Sequence, residues 1–162
     1  TNKRQPLENK SQEGNNVVFT PKESLVQGTY DIAVTANGKT DTFVFINKNP
    51  AHQFTFRDDN MLCIDGKPFF PIGTYRDPSD DTTVFDGIHE ANFNVTHSYK
   101  FENNKVTDAD MTRYLDDCQK NGVYAFMGIP RRHLQSEDHH ALQKHCAALY
   151  DHPGLLSFYL AD

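Results

Sequence analysis

From about residue 60 onward the chain alternates between strand-like and helix-like segments, and this alternation limits its fold more than any other feature. Residues 60–64, the dipeptide Asp65-Gly66 and residues 67–75 read as a hairpin with a two-residue turn feeding an apolar strand. Residues 80–91 read as a helix with Val84, Phe85, Ile88 and Ala91 on one face, and residues 94–99 as a strand. Residues 107–121 give the clearest helix. Thr107 suits the N-cap, Asp108 and Asp110 suit the positive N-terminal end, and Met111, Tyr114, Leu115 and Cys118 form one apolar stripe that Gly122 ends. Residues 123–129 are a continuous apolar strand. Ser136 is placed to cap a third helix with Leu142, His145, Cys146 and Leu149 on one stripe, Pro153-Gly154 breaks it, and residues 155–161 make a fourth strand.

Strand and helix repeated three times, then a strand, demands parallel strands joined by right-handed crossovers. Strand starts about 25–30 residues apart match one βα unit. A complete eight-unit barrel takes roughly 250 residues. Residues 61–162 therefore provide about half of one. The expected class is α/β, the first half of a (β/α)8 TIM barrel. An open doubly wound sheet competes, but no Gly-x-Gly-x-x-Gly follows any strand to support a dinucleotide site.

The chain before residue 53 follows a different pattern. Residues 1–15 are polar and expected to be loop-like. Val17-Val18-Phe19 is a short strand candidate. Residues 29–35 place Tyr30, Ile32 and Val34 on one face, Asn37-Gly38 marks a tight turn, and residues 42–46 place Phe43 and Phe45 on one face. Asn47-Lys48-Asn49-Pro50 then breaks the ladder. So short a hairpin cannot enclose a core. Residues 1–52 are therefore expected to be the terminal strands of a β-sandwich plus a linker, and residues 53–162 the N-terminal half of a barrel domain. The chain opens on Thr1 and stops within an apolar run at Asp162, so a piece of a longer polypeptide is expected.

The net charge of −6 gives no attraction to nucleic acid or an anionic membrane surface, and no apolar run approaches the roughly 20 residues of a membrane-spanning helix. Cys63, Cys118 and Cys146 show no C-x-x-C spacing and read as small buried residues. His139, His140 and His145 lack the spacing of a metal-binding helix and read as solvated, so no metal and no cofactor is expected. Asn94-Val95-Thr96 matches a glycosylation sequon but falls on a strand expected to be buried.

Four segments carry a family resemblance. Ile64-Asp65-Gly66-Lys67-Pro68-Phe69-Phe70-Pro71-Ile72-Gly73-Thr74-Tyr75 resembles the hairpin and first barrel strand of clan A glycoside hydrolases of the β-galactosidase and β-glucuronidase type. Ala91-Asn92-Phe93-Asn94-Val95 is similar to that clan's Ala-Gly-Phe-Asn second strand. Residues 114–126 resemble its step into the third strand. His152-Pro153-Gly154-Leu155-Leu156-Ser157-Phe158-Tyr159-Leu160-Ala161-Asp162 resembles the approach to its catalytic acid/base at the end of the fourth strand. Three departures stand out: Asn92 replaces Gly, Gly154 replaces Ala, and Phe158 replaces the Trp that stacks under the sugar. The resemblance implies a fragment of a retaining glycoside hydrolase that cleaves O-glycosidic bonds. Such enzymes are often secreted or periplasmic.

Retaining glycosidases use two carboxyl groups about 5–5.5 Å apart. The resemblance implies glutamates at the ends of the fourth and seventh strands. None of the six glutamates here ends a candidate strand: Glu90 and Glu137 lie in helices, Glu102 lies in a loop, and Glu8, Glu13 and Glu23 precede the barrel. The acid/base is thus expected just after Asp162, and no catalytic residue is assigned within the chain. The strand ends supply a carbohydrate-binding half-site of Tyr75, Arg76, His97, Tyr99, Arg131 and Asp162. Competing readings make His97 a satisfied strand histidine and Arg131-Arg132 a solvated pair. A half-barrel leaves an open edge, so self-association is expected. The alternative function is a non-catalytic carbohydrate-binding or interaction module.

Overall fold

Four parallel strands lie side by side in the order in which the chain makes them. The structure is a computed structural model and describes residues 6–13, 16–75, 83–136 and 138–160. In chain order its elements are β1 (Leu7–Glu13), β2 (Asn16–Pro21), β3 (Gly28–Ala36), β4 (Lys39–Asn47), β5 (Phe54–Phe56), β6 (Leu62–Ile64), β7 (Lys67–Pro68), β8 (Gly73–Tyr75), α1 (Thr83–Glu90), β9 (Val95–His97), α2 (Asp108–Lys120), β10 (Tyr124–Gly128), α3 (Arg131–Leu134), α4 (His139–Leu149) and β11 (Leu155–Tyr159). A 3-10 turn, Tyr99–Glu102, follows β9. β8, β9, β10 and β11 form the parallel sheet, so the chain is of mixed α/β class.

Period-two alternation sorts the sheet's side chains onto two faces. On one face Ala125 and Met127 of β10 and Leu155 of β11 join a core with Val84, Phe85 and Ile88 of α1, the stripe Met111, Tyr114, Leu115 and Cys118 of α2, and Leu149 of α4. The three longer helices thus share one face, as same-handed crossovers between strands laid down in order require. A doubly wound sheet instead reverses strand order and places helices on both faces. The other face carries Val95, Tyr124, Phe126 and Leu156, which pack at the strand starts against Leu62, Ile64 and Phe69 beside the β5–β6–β7 sheet.

The local chemistry of α2 is as its sequence predicts. Thr107 and Asp110 form a reciprocal capping box, and Asn121 with the left-handed Gly122 (φ 66°) ends the helix. The Thr107 contacts also hold the Asp110 carboxyl below its usual pKa. His152 ties this helix to β11: its Nδ1 accepts from Gly154 N at 3.1 Å, and Nε2 therefore donates to Asp116 at 3.1 Å.

The β3–β4 hairpin matches its expected register, with Tyr30 opposite Phe45 and Ile32 opposite Phe43. Asn37 and Gly38 both adopt positive φ (51° and 76°), as its two-residue turn requires. One face docks on α4. Val44 N donates to Gln143, and the Asp31 carboxylate accepts from His140 at 2.9 Å and Lys144 at 3.0 Å, which lowers its pKa. The other face leaves Phe43 and Phe45 47% and 43% exposed.

Several expectations need correction. Within the polar N-terminal segment, residues 7–13 are not loop: β1 pairs antiparallel with β2, because a ladder needs backbone groups rather than apolar side chains. The strand expected over residues 67–75 divides into β7 and β8. Pro68 and Pro71 lack the donor, and the Asn94 side chain takes over the backbone between them, accepting from Ile72 N and donating to Phe70 O. β5 adds a third strand to that hairpin. Asp138, not Ser136, caps α4 through Ala141 N, while Ser136 accepts from Asp138 N. Ala91 is exposed beyond the end of α1. Residues 80–82 of the expected first helix, and residues 1–5, lie outside the described residues.

Two departures from the family pattern have a structural reason. Asn92 sits at φ 54°, a left-handed position that Gly or Asn tolerates. A Cβ at Gly154 would stand 2.4 Å from the Leu115 carbonyl oxygen. Gly154→Ala is therefore expected to cost about 1–3 kcal/mol, read as a lower midpoint in urea unfolding.

Candidate functional site

The ends of the parallel strands bring together side chains far apart in sequence. Tyr75 pairs with His97 across β8–β9, His97 with Phe126 across β9–β10, and Gly128 with Tyr159 across β10–β11. Val95 and Phe126 mark the face opposite the helices, and two residues on from Val95 alternation places His97 there too. The His97 imidazole is 2% exposed and lies among aromatic rings. Ring centroids stand 5.2 Å away for Tyr75, 4.9 Å for Tyr99 and 4.5 Å for Tyr159. Tyr75 and Tyr99 stack on each other at 5.6 Å with planes 17° apart, and both are more than half exposed.

Glu102 is carried into this cluster by the 3-10 turn. Ser98 Oγ accepts from Lys100 N and starts the turn. Phe101 then buries itself against Tyr114, with centroids 4.6 Å apart, and fixes where the next residue falls. Glu102 is 6% exposed, with Oε2 3.6 Å from the Arg131 guanidinium and Oε1 3.9 Å from His97 Nε2. Gly128 makes room: a Cβ there would lie 3.1 Å from Glu102 Cγ and 3.7 Å from His97 Cε1. Beneath the cluster, between Gly73, Tyr75, Val95, His97 and Phe126, is a cavity of about 110 Å3.

α3 forms one wall and is anchored on two sides. Arg132 donates from its backbone N to Asn104 Oδ1 and from its guanidinium to the carbonyls of Asn104 and Val106. His133 stacks on His145 at 4.8 Å, and His145 Nδ1 lies 2.8 Å from Asp108. Burial pushes the His133 pKa down, with the neighbouring His145 and Arg132 acting in the same direction.

Of the expected half-site, Tyr75, His97 and Tyr99 meet directly, and Arg131 joins through Glu102. Arg76 and Asp162 lie outside the described residues, as does Glu137. His97 is satisfied on one side only: Nδ1 reaches the Phe126 carbonyl at 2.8 Å, while Nε2 has no hydrogen-bond partner. Arg132 is tied to backbone rather than solvated. Phe158 packs in the helix-side core. Tyr159, one residue on and facing the other way, lies against His97 instead. His145 and His140 are not simply solvated, since the first is buried and the second bonds Asp31. Among the described residues no group of three His, Cys, Asp or Glu side chains is placed to hold a metal ion.

Glu102 was missed because its neighbours in sequence, Asn103, Asn104 and Lys105, make the stretch read as a loop. The available signal was Ser98 followed at the third position by Phe101, an apolar residue that must be buried. Together the cluster presents aromatic faces, a buried carboxylate, an imidazole and a guanidinium. That set can stack on an apolar ring face and exchange hydrogen bonds with its polar substituents. Comparison with protein-family models, with curated proteins and with solved structures yields no match.

The lowered pKa of His133 gives a pH dependence with a definite sign. The folded protein binds less proton than the unfolded chain, so this stability is present above the unfolded histidine pKa of about 6.5 and lost as pH falls through the folded value. His133→Gln is expected to lose less stability than the wild type between pH 8 and pH 5 by urea denaturation. An identical loss in the two proteins is the contrary result.

Proposed function

We propose that the chain is a segment of a retaining glycoside hydrolase that joins the last strands of a β-sandwich to the first half of a (β/α)8 barrel. The observation that carries this reading is the sheet itself. Four parallel strands stand in sequence order with the helices on one face, and Tyr75, His97, Tyr99, Glu102 and Tyr159 gather at the ends where barrel enzymes keep their sites. The family resemblance of residues 61–162 supplies the reaction class. The two departures with structural reasons, Asn92 and Gly154, keep the pattern compatible with this backbone.

In this reading the acid/base follows Asp162 and the nucleophile lies at a later strand end, so the described residues bind rather than cleave. The chain is expected to release no phenol from aryl glycosides above buffer, and the protein encoded by the extended reading frame is expected to do so. Turnover by the 162-residue chain that is unaffected by Glu102→Gln would contradict the assignment of the missing glutamate. A frame that stops after Asp162, with glycosides still bound, would favour the second reading, a non-catalytic carbohydrate-binding module.

An open sheet and a hairpin with exposed Phe43 and Phe45 leave apolar surface and unpaired edges. The isolated chain is therefore expected to self-associate in size-exclusion chromatography with light scattering. A stable monomer that unfolds cooperatively would count against the half-barrel. Among the described residues no helix is long and apolar enough to cross a membrane.

A further inference from the structure

The tautomer of His97 follows from its neighbour. The Phe126 carbonyl oxygen, 2.8 Å from Nδ1, can only accept, so Nδ1 carries the hydrogen. With its single hydrogen on Nδ1, the ring turns Nε2 as a bare acceptor toward Glu102. Nε2 is buried without a hydrogen-bond partner, and so is Glu102 Oε1 3.9 Å away. Folded proteins leave few such atoms unpaired, because each has given up water without replacement. Two buried acceptors side by side call for a donor to each.

The surroundings narrow the kind of donor. Arg131 stands 3.6 Å from the other oxygen of Glu102 and disfavours a second cation, so an ammonium group fits poorly. The stacked faces of Tyr75 and Tyr99 lie on the exposed side and suit a ring with apolar C–H faces. A neutral group with two adjacent O–H donors on such a ring is a vicinal diol. We propose that His97 Nε2 and Glu102 Oε1 form a subsite that receives two neighbouring hydroxyls of a pyranose, one donating to each acceptor. This rests on the glycosidase reading and names the substrate feature that the site selects. Tyr75 and Tyr99, 65% and 53% exposed, are the rings that turn to admit the sugar. A sugar without either hydroxyl leaves one buried acceptor unpaired and is discriminated against for that reason.

The test titrates methyl β-D-glucopyranoside and its galacto epimer into the full chain while nitrogen NMR follows the His97 imidazole. The expected result is a shift of Nε2 consistent with a gained hydrogen bond. Glu102→Gln, which keeps the shape and an acceptor oxygen but loses the charge, is expected to weaken binding about tenfold or more. The per-O-methylated glycoside, which can stack but not donate, is expected to move Tyr75 and Tyr99 alone. The His97 signal is read in the wild type, so the test holds even if Glu102→Gln fails to fold. Glycoside shifts confined to Tyr75 and Tyr99, with His97 unmoved, overturn the subsite and leave the sugar reading standing. No response of any of these residues to either glycoside overturns both. A ligand-free spectrum with a hydrogen already on Nε2 and bonded to Glu102 overturns the subsite whatever the sugars do, since the pair would then satisfy itself.

Discussion

The handedness of the crossover governs this molecule. A right-twisted strand that returns through a helix to a parallel neighbour does so with one hand. When each new strand is added on the same side, every helix falls on the same face and every strand ends at the same edge. β8 to β11 obey this, and the rest of the arrangement follows from it. α1, α2 and α4 share a core on one face, while the other face is left to the β5–β6–β7 sheet at one end and to a polar and aromatic cluster at the opposite end. Strand β9 shows the division most clearly. Thr96 turns toward α2 and meets the Tyr114 hydroxyl, while Val95 and His97 turn the other way, Val95 to the side chains beside the β5–β6–β7 sheet and His97 to the cluster.

Much of this architecture was legible because it rests on local chemistry. Thr107 to Gly122 carries its cap, its stripe and its stop within one stretch of sequence, and α2 forms as written. Asn37-Gly38 and Asp65-Gly66 turn where those dipeptides must. What escaped depends on partners distant in the chain. Asn94 reaches back more than twenty residues to hold Phe70 and Ile72, which divides an apolar run that looks continuous. Asp138 outcompetes Ser136 as a cap although both are suitable types. The site divides in the same way. Tyr75, His97 and Tyr99 follow from strand ends, whereas Glu102 depends on Phe101 finding Tyr114 and on Gly128 lacking a side chain.

The positions that differ from the resembled pattern separate backbone from chemistry. Asn for Gly at residue 92 keeps a left-handed turn, and Gly for Ala at residue 154 relieves an approach to the Leu115 carbonyl. Both leave the path of the chain intact. Phe158 differs in kind. Its side chain lies in the helix-side core, where a larger indole would have to displace packed neighbours. The aromatic surface near His97 comes instead from Tyr159, so at this strand end the register relative to the face matters more than the identity of any one aromatic residue.

A carboxylate as buried as Glu102 invites a catalytic reading, and its surroundings argue for a different role. Retaining chemistry needs one carboxyl group free to attack and a second, about 5–5.5 Å away, able to give and take a proton. Glu102 faces an imidazole on one side and a guanidinium on the other, and the turn that carries it is anchored by Phe101. A nucleophile needs a second carboxyl group across from it, whereas the groups beside the two Glu102 oxygens are an imidazole and a guanidinium. Such a group is better suited to accept a hydrogen bond from a ligand held still than to form and break a bond.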